Sequence, residues 1–290
     1  MSPDPDPHHD IDGDVYVCPR HLASTTGTGD PALAPLRALG WDLQHDDRGN
    51  VYVTAPDRRI RLGYFPEGED DGLWRITAYR DPFAQPIWGV CFNDAAPTEF
   101  VQAFTTALAS AYQHGPDAYL ARPNSMDPEH DPFLAVVPLL REGWLFERPD
   151  PRVFRVRAPD GLAALEYTTG PLDADAELTT RTSRWQLWAG ESVDRPFWYA
   201  TASTDTPVAL LTAVTHSVAD PAPLPRWRED TSSYLKGVAQ LTPIVPAASS
   251  APTPLDVQRA ATSRRPATLA ATSVPRWSTT SRPPLPGPRR

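Results

Sequence analysis

Cys18 and His21, three residues apart in "VYVCPRHL", form the one cysteine–histidine neighbourhood in the chain that raises nucleophilic chemistry. A thiolate nucleophile needs a base within hydrogen-bonding reach and a third group to orient that base. An extended "VYVCP" segment would turn the two side chains apart, so Cys18 reads as a small apolar side chain. A zinc centre fares no better: Cys18 and Cys91 are far apart, neither has a close Cys or His pair, and His8-His9 lies in a proline-broken leader. Asp57 and Asp160 are the remaining chemical candidates, two carboxylates that could meet near a two-fold axis as an acid–base dyad. Each follows Ala-Pro in a hairpin turn, where an aspartate ordinarily accepts hydrogen bonds from main-chain amides. No catalytic residue, cofactor or metal ligand is assigned.

Binding is the stronger possibility. Arg59, Arg61 and Arg75, with Arg155 and Arg157 further on, alternate with apolar residues and would share the outward face of a sheet. Such a stripe could hold an anionic ligand or an acidic segment, unless the acidic loop "PEGEDDG" neutralises it. Trp188 and Tyr199 fall on the opposite strand parity from Trp185 and Trp198. They are therefore either exposed, as a partner site, or buried between two parts of the chain.

The elements that must position these residues occur twice. "GWDLQHDDRGNVYVTAPD" begins at Gly40 and "GWLFERPDPRVFRVRAPD" at Gly143, an offset of 103 that also matches Leu36 to Leu139, Leu62 to Leu165 and Tyr64 to Tyr167. After extra residues in "TTGPLDADAELTTRTS" the offset becomes 111 for Trp74 and Trp185, then 110 for Trp88 and Trp198 and for Pro97 and Pro207. Matches at aromatic, glycine and proline positions mark a duplicated unit.

Each unit reads as a short helix, about five antiparallel strands and a closing helix. Leu33, Leu36 and Leu39 give "DPALAPLRAL" one apolar stripe, with Asp30 expected as N-cap and Pro31 in the first turn. Gly40 should end that helix in the left-handed region, and Asp131, Pro132, Gly143 and Trp144 repeat the pattern around Pro138. Ile60, Leu62 and Tyr64 alternate with polar neighbours, as do Trp74, Ile76 and Ala78. Phe100, Val101, Phe104 and Leu108 place one apolar face on a helix from Pro97 to Ala111. A helix carrying Tyr234, Leu235, Val238 and Leu241 is expected to cap the second unit.

Totals narrow the function classes. The net charge is −9, yet residues 243–290 hold seven arginines and one acid, so residues 1–242 carry −15. A body that acidic repels nucleic-acid backbones, and only the basic tail is suited to weak nucleic-acid contact. No run approaches the roughly 18 apolar residues of a membrane span. The N-terminus lacks the charged start and apolar core of a signal peptide, and two cysteines make no disulfide framework, so a cytoplasmic location is expected. The tail is rich in Pro, Ala, Ser, Thr and Arg, which predicts disorder, and "SRPPLPGPRR" carries a Pro-x-x-Pro spacing at Pro283 and Pro286.

Together "YVCPRHLASTTGTGDPA", the Gly-Trp pair and "TAPDRRIRLGY" resemble the actinobacterial SPDY-type family, domain of unknown function 317. Ala55 and Ala158 stand where the signature has serine, while Pro56, Asp57, Tyr64 and their counterparts Pro159, Asp160, Tyr167 remain. The resemblance covers roughly residues 15–219 and implies a fold unit used twice, with no activity attached. The expected organisation is an acidic disordered leader at 1–14, a first unit at 15–115, a linker at 116–130, a second unit at 131–242 and a disordered tail at 243–290. The leading functional expectation is a non-catalytic α+β tandem module that binds a protein or small ligand. Its rival is a hydrolase or other enzyme with its site between the units.

Overall fold

The computed structural model describes residues 13–66, 72–230 and 237–245. Met1–Ile244 make one compact unit and Val245–Arg290 a second. Residues 1–12 of the leader, the acidic loop at 67–71, Tyr234 and Leu235 of the expected capping helix, and the tail beyond Val245 with its Pro-x-x-Pro segment lie outside the described residues; Asp14 of the expected leader and Pro243 of the expected disordered tail are instead in strands.

Chain order begins with β1 (Asp14–Cys18) and a single 3-10 turn at Arg20–Leu22. The first copy then supplies α1 (Asp30–Ala38), β2 (Asp42–His45), β3 (Val51–Thr54), β4 (Ile60–Tyr64), β5 (Trp74–Tyr79), β6 (Pro86–Phe92) and α2 (Thr98–His114). After α3 (Pro116–Tyr119) the second copy supplies α4 (Val137–Arg141), β7 (Leu145–Asp150), β8 (Val153–Arg157), β9 (Ala163–Thr168), α5 (Ala174–Thr179), β10 (Trp185–Ser192), β11 (Arg195–Ala202) and α6 (Val208–Ala219). Two short strands follow, β12 (Leu224–Trp227) and β13 (Gln240–Pro243).

The two copies do not build separate sheets. Ten strands form one antiparallel sheet in the order β2-β3-β4-β5-β6-β11-β10-β9-β8-β7, so the last strand of one copy pairs with the last strand of the other. The seam registers Phe92 with Ala200, Cys91 with Thr201 and Val90 with Ala202. Side chains lengthen it at both ends. Asn93 N–H donates to Tyr199 O at 3.1 Å while Tyr199 N–H donates to Asn93 Oδ1 at 3.0 Å. Ser203 N–H donates to Gly89 O, and Gly89 N–H to Ser203 Oγ, both at 3.0 Å. Asn93 and Ser203 are equivalent at the offset of 110, as are Gly89 and Tyr199, so the seam has a local two-fold relation.

Strand alternation sends Trp74, Ile76, Trp88, Val90 and their counterparts Trp185, Leu187, Trp198, Ala200 to one face. There α1, α2, α4 and α6 cover them in a single core that includes residues of both copies. The helix stops are local chemistry. Gly40 and Gly143 adopt φ of 73° and 80°, and the next residue, Trp41 or Trp144, donates its N–H back to Leu36 O or Leu139 O. The N-cap of α1 is Gly29, whereas Asp30 occupies the first helical turn; at Asp131 the side chain does cap, accepting from Phe133 N–H at 2.9 Å.

A second, three-stranded sheet (β12-β1-β13) was not foreseen. It carries its own small core of Val15, Val17, Leu22, Leu224 and Leu241. Leu241, expected on the capping helix, lies in β13 and pairs with Val17. Arg226 of β12 is buried and grips Glu99 of α2 through two hydrogen bonds of 2.8 and 2.7 Å, fastening the small sheet to the main helical layer.

Candidate functional site

The paired aspartates do not form a dyad. Each instead performs the same two tasks in its own copy. One oxygen of Asp57 accepts from Arg59 N–H at 3.1 Å and one of Asp160 accepts from Leu162 N–H at 2.9 Å, which closes the hairpin. The other oxygen reaches outside the hairpin. Asp57 accepts the Tyr119 hydroxyl at 2.9 Å, and Asp160 bonds His21 Nε2 at 2.7 Å.

The ring so held is fixed a second time through its own main chain. Trp88 Nε1 donates to Tyr119 O at 3.0 Å, and Trp198 Nε1 donates to His21 O at 2.8 Å. The His21 ring meets Trp144 edge-on at 5.5 Å, while Tyr119 stacks on Tyr112, which meets Trp41 edge-on at 5.1 Å. The repeated words Gly-Trp and Pro-Asp thus belong to one clamp built twice: aspartate, buried ring, carbonyl, indole. Its ring comes from different places, from the segment after α2 in copy one and from the 3-10 turn after β1 in copy two.

Electrostatics follow the clamp. Burial, then the hydrogen bond to Asp57, pushes the Tyr119 phenol up to about 12, so it stays a donor. Burial acts to raise the Asp160 carboxyl, but the hydrogen bond and charge of His21 outweigh it and hold Asp160 below its ordinary range. His21 is therefore committed to Asp160, and no hydrogen bond joins it to Cys18 among those described.

A cavity that draws on both copies lies on the sheet face opposite the main core. Its volume is about 220 Å³. Arg75, Thr77 and Cys91 come from copy one, Tyr199 and Thr201 from copy two, and Glu177 to Arg181 line it from α5 and the residues just beyond. Those last residues belong to the insertion that only copy two carries. Asp173 caps α5 by accepting from Ala176 N–H at 2.9 Å, and both Glu177 oxygens accept from Thr204, from its N–H at 3.0 Å and its hydroxyl at 2.7 Å. Leu178 then packs over Gly89, where a Cβ would sit 2.7 Å from the leucine methyl. The Arg181 guanidinium lies 4.1 Å from the Tyr199 ring centroid. One insertion thus covers both members of the two-fold-related pair Gly89 and Tyr199.

The anticipated arginine stripe is divided among local partners. Arg61 donates to Pro82 O at 2.7 Å and lies 4.5 Å over the Tyr79 ring. Arg155 pairs with Glu166 at 2.7 Å and Glu147 at 3.8 Å, and Arg157 donates to Gly161 O. Arg59 sits beside the Tyr119 hydroxyl, and Arg75 faces the seam cavity and the Phe65 ring at 5.8 Å. Trp188 and Tyr199 are buried, at 2% and 3% exposure, in a small cluster with Ala164 on that same face. They offer no open aromatic patch. Sequence reasoning missed the cavity because its roof is an insertion without internal counterpart; the only signal was the change of offset from 103 to 111 across it.

Among the described residues no group of three or more His, Cys, Asp or Glu gathers as a metal site would require, and no helix is long and apolar enough to cross a membrane. No curated protein and no solved structure matches the chain. Residues 54–113 and 157–224 each match the family model SPDY, domain of unknown function (DUF317). Both stretches begin at the hairpin that carries the clamp aspartate, so the chain is similar to this domain in two consecutive copies.

Proposed function

We propose that the chain is a non-catalytic binding module whose ligand occupies the seam cavity. The observation that carries this reading is the construction of the cavity: both copies supply walls, and the insertion of the second copy supplies the roof. At about 220 Å³ it is smaller than the roughly 300–1,000 Å³ usual for drug-sized ligands, which suits a small polar molecule. Hydroxyls from Thr77, Thr201 and Tyr199 and guanidinium groups from Arg75 and Arg181 give such a molecule hydrogen-bonding edges to meet.

The chemistry of the lining argues for binding over turnover. Cys91 contributes a thiol, but a nucleophilic thiol needs a base, and the lining residues include no histidine. Glu177, the one carboxylate there, already accepts from Thr204 with both oxygens. A thermal-shift screen of small metabolites on the full chain tests the reading. Compounds that stabilise the native protein should lose their effect in Thr77→Phe, which fills the cavity, and should be recovered chemically unchanged. Equal stabilisation of both proteins by every hit, or conversion of a hit to product, would refute it.

A further inference from the structure

A second cavity, of about 510 Å³, is lined by β7, β8 and β9 of the second copy together with Arg184, Thr204 and Asp205. Its wall is aromatic. The Phe154 ring stacks on Phe133 at 5.3 Å, on Phe146 at 5.8 Å and on Tyr167 at 4.7 Å, with interplanar angles of 17°, 27° and 17°. Phe154 is buried, whereas Phe133 and Phe146 remain 50% and 54% exposed. The stack therefore presents ring surface of one orientation to the cavity, the geometry that receives another flat ring by offset stacking.

The wall is a property of this copy. At the offset of 103, Phe146 and Phe154 replace Leu43 and Val51 of copy one, and the neighbouring Leu145 and Leu140 replace Asp42 and Arg37. Copy one keeps the inner pair, with Tyr64 against Trp74 at 4.5 Å matching Tyr167 against Trp185 at 4.5 Å, and stops there. The inner aromatic pair is thus common to both copies, and the outer rings belong to the second copy alone.

The polar groups of the cavity limit the ligand further. Arg184 donates to the carbonyls of Thr168 and Gly170 and to the Thr204 hydroxyl, so its guanidinium is engaged in holding the wall. Arg148 also lines the cavity and donates to Pro151 O at 3.2 Å, and Asp205 stands beside Arg122 at 3.3 Å with further lone pairs to accept a hydrogen bond. We propose that this cavity binds a planar aromatic ligand bearing an N–H donor on its edge.

The test is titration of indole into the isotope-labelled full chain, followed by amide chemical shifts. Saturable shifts are expected at Thr169, Gly170 and Asp205, with benzofuran, which lacks the N–H, binding at least threefold more weakly. Phe146→Ala, at a half-exposed position, should weaken indole at least tenfold with its melting temperature nearly unchanged; Phe133→Ala serves as the second such variant. Leu43→Ala, at the equivalent place in copy one, should change affinity less than twofold. Failure to saturate, shifts clustered elsewhere, benzofuran as tight as indole, or undiminished binding in both phenylalanine variants would each overturn the proposal.

Discussion

Replacing Asp160 with alanine removes both tasks of the second clamp at once, and the cost can be worked from its geometry. The turn bond to Leu162 N–H is 2.9 Å long, and an ordinary hydrogen bond of this kind contributes about 0.5–1.5 kcal/mol. The bond to His21 Nε2 is 2.7 Å long and involves a carboxylate, for which about 1.5–3 kcal/mol is typical. Asp160 is 31% exposed at its side chain, so solvent screening favours the lower part of that range. His21, however, is only 3% exposed and would lose its acceptor without gaining water. The sum is about 2–4 kcal/mol, equivalent to a fall in melting temperature of about 4–16 °C for a folded unit of this size. Guanidinium unfolding followed by tryptophan fluorescence measures it directly, since Trp144 and Trp198 flank the clamp. Asp160→Asn should retain the turn bond and lose about half as much. An Asp160→Ala protein within 0.5 kcal/mol of the native chain would show that the aspartate is only a turn residue and that the clamp is not a unit.

Other outcomes follow from the same structure. The Asp160 carboxyl is held below its ordinary range, so its stabilisation is present above about pH 4, the unfolded value, and disappears as pH falls through the folded one; the stability gap between the native chain and Asp160→Asn should therefore shrink from pH 6 to pH 2. Tyr119→Phe and Asp57→Ala should each destabilise, and a double-mutant cycle between them should give a coupling of about 1 kcal/mol, with additivity as the contrary result. Glu99→Ala removes the counter-charge of the buried Arg226, leaving it only the carbonyls of Ser24 and Pro225, and should cost about 3 kcal/mol, accompanied by faster amide exchange in β12. Arg58 holds φ at 61°, where its counterpart Gly161 holds 75°, so Arg58→Gly should raise stability by about 0.5–1 kcal/mol in thermal melts once the flexibility of glycine is counted. Gly89→Val should lift Leu178 and expose α5 to proteolysis near residues 174–181 while the sheet stays folded.

The clamp changes the meaning of the repeated aspartate. Read as turn chemistry, Asp57 and Asp160 should matter much less than Trp41, whose loss is expected to cost about 3–5 kcal/mol. Their second oxygens tie each hairpin to a ring supplied from outside it, which moves them nearer to the core tryptophans in importance. The sequence shows the turn task of Pro-Asp in both copies, but not the second task or its partners, because Tyr119 and His21 occupy unrelated positions in the two copies.

What was legible in the chain was the physics that acts over a few residues. Gly40 and Gly143 announce helix stops because only glycine adopts positive φ cheaply, and the alternation around Ile60, Leu62 and Trp74 announces one wet and one buried face. The parity of Trp188 and Tyr199 likewise announced that they leave the main core, but not that they would be buried there. Tertiary structure alone decided which edges meet. An unpaired strand edge can pair with any other of suitable twist, so nothing local in β6 or β11 says that they join two half-sheets into one of ten strands. Nor does the turn at Arg20–Leu22 say that its histidine crosses to the second copy, or the α5 insertion that it will roof the seam. Those choices are set by burial and hydrogen-bond satisfaction summed over residues far apart in the chain, a sum that exists only once the chain has closed on itself.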